Sequence, residues 1–381
     1  MRHADARCRI LVPRLFDAGN TNAQNLNAKA LLARFARSDV SWVGTRYGAA
    51  DPDVAQRPQV RLVKLWRHRF WQWHVAFLYQ RSFDAIFYPG VSWFDATGLA
   101  WRARLGRRVP VIATLEGLAG DATTEKLLSA SAGHPVHCHR VEPRVLKCVR
   151  AVIDGADRVI AVSPFLARMG RTLYGDKFSV LPLGVDMATF RPPAQREAGR
   201  VPVIVSAGRV ASHKRPQVFL DLAERFPQAR FVWYGEGSDR AGLIAKAGAR
   251  RLSNLEFPGA KSPNQLADAL RGADIFVLPS LSEGVPKVTQ EAAACGLPVI
   301  AYGFYEPSSV IDAQTGFLVW NDEELQERLA LLIGDEARRR LLGAQSLALS
   351  RQWDWNLVAQ QWEERVIALA CPSVGQRRDS I

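Results

Sequence analysis

The sequence predicts an α/β protein made of two doubly wound domains that face each other across a cleft. Three observations carry this expectation. Short β-branched or aromatic runs alternate with amphipathic stretches of helical spacing, the pattern of a parallel sheet covered on both faces. Nearly every such run ends in Gly, Pro or Ser, and in open α/β sheets the ligand site lies outside those carboxyl ends. The third is length. At 381 residues the chain exceeds a single core of about 100–200 residues, and the polar, Pro-rich stretch 191–199 reads as a linker.

In the first half the expected strands are Arg9–Val12, Ala85–Tyr88, Val111–Thr114, Val159–Val162 and Ser179–Leu181. Each runs into a breaker, such as Pro89-Gly90, Ser163-Pro164 or Pro182-Leu183-Gly184. In the second half they are Val203–Ala207, Phe231–Tyr234, Leu255–Phe257, Ile275–Leu278, Pro298–Ala301 and Phe317–Val319. Helices are expected over Gln217–Phe226, Asn264–Arg271 and Val288–Cys295. The domains are accordingly placed at 1–190 and 200–350.

Composition narrows the class. With 48% hydrophobic and 23% charged residues the chain buries a core and is not a disordered polymer. No run approaches the ~18 apolar residues of a transmembrane helix, and Met1–Ile10 has no apolar signal core. Five scattered cysteines form no Cys-x-x-Cys pair, which points away from disulfide frameworks and zinc ribbons and toward a reducing cytoplasm. The net charge of +13 is uneven: residues 1–190 hold 27 Lys and Arg against 15 Asp and Glu, while residues 191–381 hold 23 against 22. A basic half suits phosphorylated ligands, anionic lipid or nucleic acid.

The sharpest local pattern is Ser280–Glu291. Glu283 falls on a strand-end loop, Pro286 suits the first turn of the next helix, and Glu291 lies inside it. Free N–H groups at that helix start, opened by Gly284, make an anion site for a diphosphate. A carboxylate ahead of it can accept sugar hydroxyls, and one further in can take a ribose diol. Upstream, Ala207-Gly208-Arg209 ends a strand and Lys214 follows five residues after Arg209. Two cations on one strand-end loop can converge on a phosphate pair, with Gly208 permitting close approach.

With Val180–Pro192, Ala273–Ser280, Glu291–Ala301 and Thr315–Val319 in the same order, the chain resembles the family-4 glycosyltransferases, retaining nucleotide-sugar enzymes of the GT-B fold with two Rossmann-like domains. The match is dense from Val159 to Val319 and looser before it. Trp353–Asn356 and the helix after it, to residue 381, look like the segment that packs back on the first domain. The resemblance implies that Arg209 and Lys214 bind the donor diphosphate, that Glu283 holds a sugar hydroxyl, and that Glu291 binds the ribose. It also implies that Gly284, Val285 and Pro286 bring backbone N–H groups to the phosphates and sugar. Loops around Gly235 and Gly259–Pro263 are expected to meet the base. The donor would be UDP- or GDP-linked, the sugar a hexose, and the acceptor a lipid-linked or cell-envelope glycan, or else a soluble small molecule or protein.

Two departures stand out. Where relatives carry a histidine in a Thr-x-His-Gly stretch, this chain has Thr114-Leu115-Glu116-Gly117, so Glu116 is expected at the reaction centre, orienting sugar or taking a proton. The first loop lacks a Gly-Gly pair and offers Gly19 and Asn22 instead. His134, His137 and His139 crowd one loop, but their spacing fits no zinc motif, and neither metal nor cofactor is expected. A dinucleotide-dependent dehydrogenase is disfavoured because Gly235-Glu236-Gly237 lacks a third glycine. No helix-turn-helix, RNP or finger pattern supports a nucleic-acid partner.

One more expectation concerns Arg61–Tyr79. Leu62, Trp66, Phe70, Trp73 and Phe77 repeat at helical spacing, with Arg61, Lys64, Arg67, His68 and Trp71 on the opposite side. Basic heads beside a tryptophan suit a helix lying on anionic lipid, at ~1 kcal/mol per cation. Peripheral attachment to the inner membrane face is therefore expected.

Overall fold

A computed structural model describes residues 7–16, 23–45, 56–65, 83–90, 99, 109–196 and 199–370. The chain divides into two compact units, one formed by Met1–Ser131, Cys138–Gly184 and Trp355–Ile381, the other by Ala132–His137 and Val185–Asp354.

The first unit holds strands β1 (Cys8–Phe16), β2 (Ser38–Thr45), β3 (Val60–Leu65), β4 (Ala85–Tyr88), β5 (Val111–Leu115), β6 (Arg158–Ala161) and β7 (Phe178–Val180). They form a 7-stranded sheet in the order β3-β2-β1-β4-β5-β6-β7, with every neighbouring pair parallel. Unbroken apolar runs explain the centre: all residues of β4 and β5 are buried, as a sheet covered on both faces requires. Helices α1 (Ala23–Leu32), α2 (Ala122–Ala132), α3 (Pro143–Gly155) and α4 (Pro164–Tyr174) accompany it. α4 starts where Ser163-Pro164 predicts, with the Ser163 hydroxyl accepting from Leu166 N–H at 3.2 Å.

The second unit repeats the plan with β8 (Val203–Ala207), β9 (Arg230–Tyr234), β10 (Leu255–Gly259), β11 (Ile275–Leu278), β12 (Val299–Tyr302) and β13 (Gly316–Val319). Its 6-stranded parallel sheet runs β10-β9-β8-β11-β12-β13. The order reverses beside β8, which makes a crevice at the carboxyl ends of β8 and β11. Helices α5 (Pro216–Arg225), α6 (Arg240–Ala249), α7 (Pro263–Arg271) and α8 (Lys287–Ala294) connect the strands, and α9 (Asp322–Gly334) and α10 (Glu336–Ser350) follow β13. α11 (Trp355–Ala370) belongs to the first unit. There Trp362 Nε1 donates to the Pro182 carbonyl at 2.7 Å, and Glu363 accepts from the N–H groups of Ala36 and Arg37 at 2.9 and 2.7 Å.

Three expectations need correction. Arg61–Leu65 is strand, not the start of a helix. β3 pairs in register with β2 from Val40↔Val60 to Thr45↔Leu65, and a parallel partner overrides a helical stripe that a short apolar run also satisfies. Arg61 and Lys64 thus sit on β3, the outermost strand of this sheet among the described residues. Arg67, His68 and Trp71, the rest of the expected lipid face, lie outside the described residues, as do Gly19 and Asn22. Second, β2 and β3 were not among the expected strands. Third, the stretch read as a linker lies within the second unit, whose main segment runs from Val185 to Asp354. Phe190 is buried, and the Arg196 guanidinium donates to the carbonyls of Ala273 and Cys295, the latter at 2.8 Å.

Candidate active site

The carboxyl ends of β8, β9 and β10 turn on glycines. Gly208, Gly235 and Gly259 have φ of +141°, +150° and +87°, values that L side chains rarely adopt. Their backbones lock together: Gly208 N–H donates to Tyr234 O at 2.9 Å, and Gly235 N–H to Gly259 O at 3.0 Å. A Cβ on Gly235 would stand 2.0 Å from the Gly208 carbonyl oxygen. The result is a floor of bare backbone at one end of the second sheet.

Beside that floor, Ser212–Lys214 forms one 3₁₀ turn. It brings Lys214 against Glu283, 69 residues away, and the ammonium donates to Glu283 Oε1. The two side chains are 21% and 10% exposed, so the pair is partly withdrawn from water and stronger than a surface ion pair. Arg209, directly after Gly208, is exposed and has no ion-pair partner among the described residues. An unpartnered guanidinium next to bare backbone is what a diphosphate needs.

Pro286 is the residue just before α8 rather than within its first turn, and no side chain caps the helix start. Gly284 and Val285 lead into it half-buried. Uncapped first-turn N–H groups keep their attraction for an anion. Glu291 sits on α8 with its carboxyl pushed up by burial and pulled partly back by Lys287. In the first unit, Glu116 follows β5 half-buried and accepts from the buried Asn27 amide at 3.2 Å.

Two histidines of the crowded loop have contacts in the second unit that the sequence did not reveal. Ser282 donates to the His137 carbonyl at 2.7 Å. His137 meets the Phe304 ring edge-on with centroids 5.6 Å apart, and His134 lies 5.3 Å from the Trp320 ring and 3.5 Å from Glu306 Oε1. His134 and His137 are thus built into an aromatic cluster, whereas His139 belongs to the first unit. Among the described residues no group of three His, Cys, Asp or Glu side chains is placed to hold a metal ion. Arg215, next to Lys214, is engaged by Asp322 from the start of α9.

Comparison with known proteins agrees with this architecture. The family description "Glycosyltransferase Family 4" matches residues 28–189, and "Glycosyl transferases group 1" matches residues 189–346. The D-inositol 3-phosphate glycosyltransferase of Xylanimonas cellulosilytica is 32% identical over 241 residues, covering 54% of this chain and 57% of that protein. Its namesake from Nocardia farcinica is 30% identical over 287 residues, covering 69% and 62%. The chain thus spans about half the length of the curated relatives it matches. Among solved structures, Anabaena HepE in complex with UDP and glucose superposes with a TM-score of 0.72 at 17% identity, over 95% of this chain and 100% of that one. Sucrose-phosphate synthase from Thermosynechococcus elongatus gives 0.72 at 21% identity, over 96% and 99%. At these identities the likeness shows a shared fold. No helix among the described residues is long and apolar enough to cross a membrane.

Proposed function

The chain belongs to the family-4 glycosyltransferases, of GT-B fold, and from that premise we propose that it transfers a sugar from a nucleoside-diphosphate sugar to an acceptor hydroxyl with retention of anomeric configuration. The observation that carries the reading is the grouping of Lys214 and Glu283 beside the exposed Arg209 and the uncapped start of α8. Charge growing on the departing diphosphate meets Arg209, Lys214 and the α8 N–H groups, an arrangement already in place before reaction. Glu283 holds a sugar hydroxyl, Glu291 the ribose, and the floor at Gly208, Gly235 and Gly259 takes the nucleotide. Within the first unit, Glu116, oriented by Asn27, is the carboxylate we assign to sugar hydroxyls.

UDP is the nucleotide we favour, because HepE is described with UDP and glucose. For the acceptor we favour a small phosphorylated polyol, as the names of the curated relatives suggest. A lipid-linked or envelope-glycan acceptor loses much of its support now that Arg61–Leu65 is strand. A panel of UDP- and GDP-sugars scored by thermal shift and donor hydrolysis tests the reading, since a ligand at 100 times its Kd stabilises by ~2.7 kcal/mol. No shift with any donor, or inversion in the proton NMR of early product, sinks it. In the same assay EDTA is expected to leave turnover unchanged, because side chains and a helix start supply the positive charge; loss restored by manganese would overturn that. Flotation with anionic liposomes decides the membrane question: binding at low salt would return the lipid-linked acceptor to favour.

Glu291 gives a prediction with opposite signs for stability and binding. Burial raises its carboxyl above the ordinary 4.5, so the folded protein holds this proton more tightly than the unfolded chain. Unfolding free energy therefore falls as pH rises from the unfolded value through the raised folded one, and the penalty persists above it. Glu291→Gln is expected to melt higher than wild type at pH 7–8 and to lose that part of the pH slope. The same variant binds UDP ~10-fold more weakly, the scale of one lost charged hydrogen bond. Thermal melts across pH with a UDP titration check both; a lower melting temperature at pH 8 refutes the burial argument.

A further inference from the structure

We propose that Arg215 and Asp322 form a clamp that positions Lys214, and that the clamp exists because a side-chain-bearing residue occupies a left-handed turn. This rests on the reading of Lys214 as a donor-phosphate ligand. The turn Ser212–Lys214 must pass directly into α5, which opens on Pro216. Proline pushes the residue before it out of the right-handed helical region. Arg215 takes neither that region nor the extended one that proline favours, but the left-handed one, with φ +52° and ψ +49°, a conformation that glycine accepts freely and other L residues adopt only under constraint.

The constraint is visible. One Arg215 terminal nitrogen donates to both Asp322 carboxylate oxygens, at 3.0 and 2.6 Å. The Tyr302 hydroxyl donates to the same carboxylate, and the guanidinium lies over the Tyr302 ring, 5.3 Å from its centroid. Tyr302 is itself stacked on Phe304 with centroids 5.6 Å apart. Asp322 is the first residue of α9, after the N-cap Asn321, so the helix dipole favours its ionised form. Burial alone would raise that carboxyl, but the Arg215 and Tyr302 hydrogen bonds and the Arg215 charge hold it below its usual range. Two separate elements, the end of β12 and the start of α9, thus grip the residue that follows Lys214, while Lys214 itself reaches Glu283. Among the described residues Asp322 bonds to Arg215 and Tyr302 and not to Arg209, Lys214 or Glu283, so it is a positioning residue.

The test separates this from a role for Asp322 in α9 alone. Asp322→Ala, Arg215→Gly and the double variant are compared with wild type by hydrogen exchange without ligand and by UDP titration. Asp322→Ala is expected to speed exchange of the 209–218 backbone by ~10-fold and to weaken UDP binding by ~10-fold. Arg215→Gly alone keeps UDP affinity within ~2-fold, because glycine needs no clamp. The double variant regains both the protection and the affinity. A double variant as impaired as Asp322→Ala overturns the proposal, and so does an Arg215→Gly protein that has lost UDP binding. If Asp322→Ala does not fold, recovery of a folded, UDP-binding protein in the double variant still reports the clamp, and failure to recover refutes it. A wild type that binds no UDP removes the function reading, while the exchange rescue stands or falls by itself.

Discussion

Lys214→Ala and Glu283→Gln each lower sugar transfer by at least ~100-fold, about 2.7 kcal/mol of transition-state stabilisation. The two residues touch, so the double variant is expected to lose little more than the worse single one, because each loss already disarms the other. Arg209 behaves differently. It is exposed and outside that ion pair, so Arg209→Ala also costs ~100-fold but multiplies with either loss and leaves the fold untouched. Lys214→Ala leaves the Glu283 carboxylate, 10% exposed, without its cation, and a modest drop in melting temperature accompanies it. Single-turnover transfer rates with circular dichroism on wild type, the three single variants and the three double variants check this. Wild-type rates in a folded Lys214→Ala or Glu283→Gln protein refute the site assignment.

The second unit was legible because its strands are short, buried on both faces and punctuated at the carboxyl end. The expected Val203–Ala207 and Ile275–Leu278 match β8 and β11 to the residue. β2 escaped because Ser38–Thr45 mixes Ser, Asp and Gly with Val and Trp, and pairing with β1 and β3 on its two sides makes it a strand. β3 escaped because six residues carry too few periods to separate a strand from one helical turn and a half. The site was readable as residue types but not as contacts. Lys214 and Glu283 stand 69 residues apart, Arg215 and Asp322 107, and Asn27 and Glu116 89. Nothing local in Asn321-Asp322-Glu323-Glu324 distinguishes a helix start from the far half of a clamp. The Arg215-Pro216 step was the available signal, since a non-glycine residue squeezed between a turn and a helix-opening proline must be held by something.

Gly235→Ala is expected to be the most damaging single methyl in the second unit. The residue sits at φ +150°, a region open essentially to glycine, where any side chain costs ~1–3 kcal/mol. The added Cβ would also lie 2.0 Å from the Gly208 carbonyl oxygen, a contact that no rotamer can relieve because both sides are backbone. Gly208 N–H is fixed to Tyr234 O at 2.9 Å, so the strain passes straight into the turn that carries Arg209. Together these effects cost about 3–5 kcal/mol, the range of an exceptional point mutation, and UDP affinity falls with stability because the floor and the guanidinium shift together. Gly242→Ala is the matched control. It lies in α6 with nothing within 4 Å of an added Cβ, and alanine in a helix interior gains about 0.5–1 kcal/mol over glycine. Urea unfolding of the two variants should therefore diverge in opposite directions from wild type, while UDP titration should weaken for Gly235→Ala only. A Gly235→Ala protein that unfolds at the wild-type urea concentration and binds UDP normally would show that the strand-end glycines serve neither packing nor the nucleotide.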